Sequence, residues 1–159
     1  MARRRARELA FRALFQSERG GTPLLEVWRQ VREDAVDESE SEVDDAYGDA
    51  LDTATLEFAG ELVSAYARNR GAIDDELAEL VSGWSFGQMA QTDLNVLRLA
   101  ATEMRYGPAG PPEVAIEMAV RLAKKFGGEE SGRFVNGVLA KLYRRLASER
   151  APEETNETR

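Results

Sequence analysis

The sequence predicts an all-α domain of seven helices joined by short loops. Three observations carry that prediction. Apolar residues recur at three- and four-residue steps through every long segment, alternation of period two is nowhere sustained, and β-branched residues are sparse. The chain has 159 residues, 43% of them hydrophobic and 31% charged. That is enough apolar material for one buried core, and wholesale disorder is excluded. A single domain over 1–148 is expected, followed by a flexible polar tail over 149–159.

Helix one spans about Arg3–Glu18 and buries Ala6, Leu9, Ala10, Ala13 and Leu14; Gly20–Gly21 ends it. Thr22–Pro23 restarts a helix with proline at its first position, and Leu24, Leu25, Val27, Trp28 and Val31 form its apolar side. The stretch Glu33–Asp45 is acidic and has little to bury, so a solvated loop is expected; Ser41 followed by Asp44 would cap the next helix. Helix three, about Asp44–Arg70, carries Tyr47, Leu51, Thr55, Phe58, Leu62 and Tyr66 at helical steps and is stopped by Gly71. Helix four, about Ala72–Gly83, uses Ile73, Leu77, Leu80 and Val81, with Trp84 following. Helix five, about Met89–Tyr106, turns Leu94, Leu97, Ala100, Ala101 and Met104 inward, and 107-GPAGPP-112 is a firm break. Helix six, about Pro112–Phe126, buries Val114, Ile116, Ala119, Leu122 and Ala123 and closes at Gly127–Gly128. Helix seven, about Ser131–Ser148, uses Phe134, Val135, Val138, Leu139, Leu142 and Leu146.

There is no cysteine and no histidine. Disulfides, thiol catalysis, zinc fingers and iron–sulfur clusters are thereby excluded, and the commonest general base and metal ligand are absent. No run approaches the ~20 apolar residues needed to span a bilayer. The basic start leads into an amphipathic helix rather than a secretion signal, so a cytoplasmic location is expected, with no membrane partner.

The formal charge of −8 conceals a strong polarity. Residues 1–12 carry a net +4 and residues 121–145 a net +5, which leaves −17 on the remainder; residues 33–67 hold twelve acids and no lysine or arginine. Such a chain can present a basic patch while staying acidic overall. Each stretch could equally be a solvated helix face. However, helix stability does not call for four guanidiniums within 3-RRRAR-7, where mutual repulsion would be relieved by bound phosphate. Arg133–Phe134 adds a cation beside an aromatic ring at a helix start; an exposed ring there could stack an unpaired base, a buried one would be core.

Other constellations carry less. Asp74–Asp75–Glu76 supplies oxygen ligands for Mg²⁺, but consecutive helical residues point in different directions, and acids are expected in a first turn from the helix dipole alone. The segment 127-GGEESG-132 follows a helix and has no GK[ST] ending, so it is not a phosphate loop; Gly127 closes one helix and Ser131 caps the next. No nucleophile elbow and no acid–base pair stand out. No catalytic residue, cofactor or metal is expected.

Four stretches resemble the NusB transcription antitermination factors. The opening 3-RRRARELAFRALFQ-16 looks like that family's arginine-rich first helix. Trp84 with 93-DLNVLRLAATEM-104, then 111-PPEVAIEMAVRLAKKFG-127, then 131-SGRFVNGVLAKL-142 are similar to its later helices. Phe15 and Thr102 stand where the family usually has tyrosine, and Glu117–Met118 where Asn–Glu is usual. The resemblance implies two packed helical bundles, about 1–70 and about 71–148. It implies binding of the boxA RNA of rRNA leaders together with the ribosomal protein NusE, within an antitermination complex on RNA polymerase that keeps rRNA transcription processive. RNA contacts would fall on Arg3, Arg4, Arg5, Arg7, Arg133 and Phe134. Contacts to NusE would fall on Asp93 and its neighbours, with Phe15. Glu130 matches an acidic surface position of the family. A homodimer that would bury the basic face is also left open. The alternative functional reading is a helical protein–protein adaptor with incidental RNA contact. NusB-like domains also precede rRNA cytosine methyltransferases, but a chain ending at Arg159 is expected to leave no room for a methyl-donor domain.

Overall fold

A computed structural model describes residues 3–41, 51–81, 83, 85–107 and 110–157. Tyr47, Trp84 and the expected Ser41–Asp44 cap lie outside what it describes. Among the described residues there are six α-helices and no strand: α1 (Arg4–Gly20), α2 (Leu24–Ser41), α3 (Thr53–Leu80), α4 (Gln91–Tyr106), α5 (Pro112–Gly127) and α6 (Glu129–Glu157), with a 3₁₀ turn at Phe86–Gln88.

Six helices replace the expected seven because helices three and four are one element. Gly71 does not stop α3. The departure falls two residues earlier, at Asn69 (φ −116°, ψ 16°), and the Asn69 side-chain amide donates to the Ala65 carbonyl at 2.8 Å. That bond satisfies an acceptor the kink would otherwise strand, so the helix bends and continues. Ala59, Leu62, Val63 and Tyr66 are buried before the kink, and Ile73, Leu77 and Leu80 after it.

The acidic stretch after Glu33 is also helical through Ser41, where a loop is expected. Leu24, Val27, Val31 and Ala35 are buried at helical steps, so the apolar stripe runs one turn beyond Val31 and fixes the backbone. The acids then occupy the solvent side, where Glu is a good helix former. Leu51 and Asp52 precede α3 instead of belonging to it; Asp52 caps the helix by accepting from the Thr55 amide at 2.8 Å. At the other end, α6 runs past Ser148 to Glu157, through the stretch expected as a polar tail.

Helix α4 is the centre. Nine consecutive residues, Leu94–Thr102, are buried, and α1, α3, α5 and α6 all pack around it. Burial on every side requires each polar side chain to find a partner. Arg98 donates to both Asp74 carboxylate oxygens at 3.0 and 3.2 Å and to Asn95 at 3.2 Å. Thr102 donates to the Arg98 carbonyl at 2.7 Å. Asp74 also accepts from the Tyr66 hydroxyl at 3.0 Å, and burial first, then the neighbouring carboxylate, pushes that phenol well above its usual range. These bonds tie α3 to α4 and, through Glu18 against Arg98 at 3.4 Å, to α1.

Candidate nucleic-acid interface

Helical geometry divides the arginine cluster in two. Residues one turn apart share a face, so Arg3 and Arg7 point one way and Arg4 and Glu8 another. Arg3, in the left-handed region (φ 54°), and Arg7 both hold their guanidinium carbons 5.3 Å from the centroid of Phe58 on α3. Arg7 is 7% exposed and forks onto Glu103 of α4, Nε to Oε1 at 2.8 Å and Nη2 to Oε2 at 2.5 Å. Arg7 is therefore an internal ion-pair partner that locks α1 to α4, not a surface cation. Arg4 is exposed and Arg5 partly exposed. Four arginines on one exposed face, as the linear cluster suggests, would defy the helical period.

The face that carries Arg4 continues along α1 through Glu8, Phe11, Arg12, Phe15 and Arg19. It abuts the end of α5. Lys125 donates to Glu8 at 2.8 Å, and Phe126 stacks on Phe11 with centroids 5.2 Å apart and planes at 25°. Phe11 in turn meets Phe15 at 5.8 Å. Gly127 is the last residue of α5, and Gly128, with φ 91°, turns the chain out of it while its amide donates to the Lys124 carbonyl. Helix α6 begins at Glu129, and Arg133 and Phe134 follow in its second turn. Arg133 is exposed. Phe134 is half-buried, packed against the core on one side without being enclosed. The α1–α5 contact thus sets the first helix against the end of α5, and Arg133 and Phe134 lie in the helix that follows. Asp93 sits in the first turn of α4, with Oδ1 buried and without a hydrogen-bond partner among the described residues. Phe15 is partly buried, with the Arg19 guanidinium 5.7 Å above it.

Two of the three acids in 74–76 are engaged by neighbouring helices and by Tyr66. Asp74 binds Arg98 and Tyr66, and Glu76 accepts two bonds of 2.6 Å from Arg105. Among the described residues no group of three or more acids could hold a metal ion, and no helix is long and apolar enough to cross a membrane. The Arg98–Asp74–Tyr66 network escaped the sequence reading, because its members lie 24 and 8 residues apart and only packing unites them. Phe126 escaped it too, although it continues the Leu122 row of α5 by one turn and a helical wheel would have flagged it.

Comparison with known proteins identifies relatives of this chain and of its fold. A family model described as the NusB family matches residues 4–144. The transcription antitermination protein NusB of Thermus thermophilus is 49% identical over 146 residues, covering 92% of this chain and 93% of its own length. Among solved structures, NusB of T. maritima superposes with a TM-score of 0.72 at 35% identity, over 98% of this chain and 96% of the other. A crystal structure of the antitermination factors NusB and NusE in complex with dsRNA superposes with a TM-score of 0.76 at 26% identity, over 91% of this chain and 97% of that one.

Proposed function

The chain belongs to the NusB family, and from that membership we propose that it is a transcription antitermination factor that binds boxA RNA of rRNA leaders together with NusE, acting in the cytoplasm and without a catalytic step. The observation that carries the reading is the seam at which Glu8 and Phe11 of α1 meet Lys125 and Phe126 of α5. It supports placing two basic segments, more than a hundred residues apart in the chain, on one side of the molecule. Arg4, Arg5 and Arg133 neutralise phosphates there, and the half-buried ring of Phe134 stacks an unpaired base. Arg3 and Arg7, also matched to the family's RNA contacts, act chiefly from beneath: their stacking on Phe58 and the Arg7–Glu103 fork hold the first turn in place. Asp93 and Phe15 face NusE. The acidic remainder repels non-specific nucleic acid and leaves affinity dependent on the partner's added surface.

Titration of labelled boxA RNA and a scrambled RNA, with and without NusE and across a salt series, tests this. With the phosphates met by Arg4, Arg5 and Arg133 neutralised, log affinity falls against log salt with a slope of about −2, from ~−0.7 per contact on single strands. Phe134→Ala weakens boxA binding by about 1–3 kcal/mol with helicity unchanged. Equal affinity for both RNAs, or a flat salt response, refutes the assignment and leaves a protein–protein adaptor as the function.

A further inference from the structure

We propose that Phe126 is a second base-stacking platform, and that single-stranded RNA runs from the first turn of α1 across the α1–α5 seam. The proposal rests on the RNA-binding reading above and adds a site to it. Phe126 is 50% exposed, far more than the rest of the apolar row it continues, Met118, Ala119, Leu122 and Ala123, all buried. One face of its ring lies on Phe11 at 5.2 Å. The stack therefore fixes the ring's plane while half of the side chain's surface stays in solvent, and an oriented, accessible ring is what sequence-tolerant stacking requires. A cation is already placed: the Lys125 ammonium is 5.4 Å from the ring centroid, tethered by Glu8.

Charge decides between a nucleic acid and an apolar peptide as occupant. Lys125 lies on the ring, and the segments that flank the stack in sequence, 4–12 of α1 and 124–133 across the α5–α6 turn, carry, besides the internally paired Arg7, Arg4, Arg5, Arg12, Lys124, Lys125 and Arg133. Against them stand Glu8, Glu129 and Glu130, leaving an excess of three positive charges. Glu8 is held by Lys125, and Glu129 lies 3.7 Å from Lys124. Arg12, next to Phe11, is exposed and has no ion pair or hydrogen bond among the described residues. A polyanion with planar bases answers both the excess positive charge and the ring; an apolar helix would answer the ring alone and desolvate the charge around it.

The test uses the full chain and Phe126→Leu, which keeps apolar contact with Phe11 but has no ring. Phe126→Trp restores a π face. Affinity for boxA RNA should fall roughly 5- to 150-fold in Phe126→Leu, as expected for one lost base stack, and return in Phe126→Trp, with melting curves unchanged. A set of boxA RNAs, each with one abasic position, locates the base: the wild-type penalty at one position should vanish in Phe126→Leu. If the wild type binds boxA and depends on Phe134, while Phe126→Leu binds equally well at every abasic position, the second platform is refuted and the general RNA reading stands. If the wild type does not bind, both fail. Loss of NusE affinity with RNA affinity intact in Phe126→Leu makes the ring a protein contact and overturns the proposal.

Discussion

Arg7 and Arg4 have the same chemistry and, three residues apart, opposite exposure. Arg7 is enclosed and forked onto Glu103, with side-chain exposures of 9% and 12%. Removing one member of such a pair leaves the other charge poorly solvated and alone. Arg7→Ala should cost about 3 kcal/mol in urea unfolding, and any loss of RNA affinity should follow from that destabilisation. Arg4→Ala should change stability by less than about 0.5 kcal/mol while weakening RNA binding and making the salt slope shallower by ~0.7. Equal stability losses in the two variants would contradict the division of the cluster. The run of arginines was legible in the sequence; its division follows from 3.6 residues per turn, but the partners that absorb Arg3 and Arg7 sit on α3 and α4 and are invisible along the chain.

At the level of elements, most helix boundaries follow from apolar periodicity and from capping, and the departures have local causes. Asn69 turns an expected stop into a kink by bonding the Ala65 carbonyl. Ala35, a small residue among acids, is buried and carries α2 onward. The close of α4 makes a sharper demand. A Cβ at Gly107 would lie 2.5 Å from the Glu103 carbonyl oxygen and 2.8 Å from its Cα. Neither atom can rotate away, so Gly107→Ala must displace the last turn of α4 and, with it, the carboxylate that holds Arg7. A loss of about 1–3 kcal/mol is expected in thermal unfolding. Gly110→Ala, whose Cβ meets nothing within 4 Å, is the matched control and should stay within about 0.5 kcal/mol.

At the scale of the whole molecule, one ion-pair network ties α3, α4 and α6 together. Arg105 of α4 binds Glu76 of α3 at 2.6 Å and Glu149 of α6 at 2.9 Å, and Arg145 of α6 reaches Glu76 at 3.3 Å. The Arg105 hydrogen bonds, with a smaller contribution from Arg145, hold the Glu76 carboxyl below its usual 4.5. A depressed carboxylate stabilises the folded state fully above its unfolded value, and that contribution is lost as pH falls through the folded one. Glu76→Gln should therefore be less stable than the parent at neutral pH, with the gap narrowing as pH drops below 4.5. Urea midpoints at about pH 7 and about pH 3 check it; a gap that widens in acid would show that Glu76 does not titrate as its partners require.

The helical class, the order of the elements, the central apolar segment around Leu94–Thr102 and the family can all be read from the order of the amino acids. Each is written in periodicity or in local motifs, and burial of a periodic stripe leaves the backbone little choice. Which charges face water is settled in three dimensions. Whether a guanidinium is a ligand-binding group or an internal strut depends on the helix packed against it. Packing turned Arg7 inward onto Glu103, engaged Asp74 with Arg98, and left Phe126 stacked on Phe11 with half its surface in solvent.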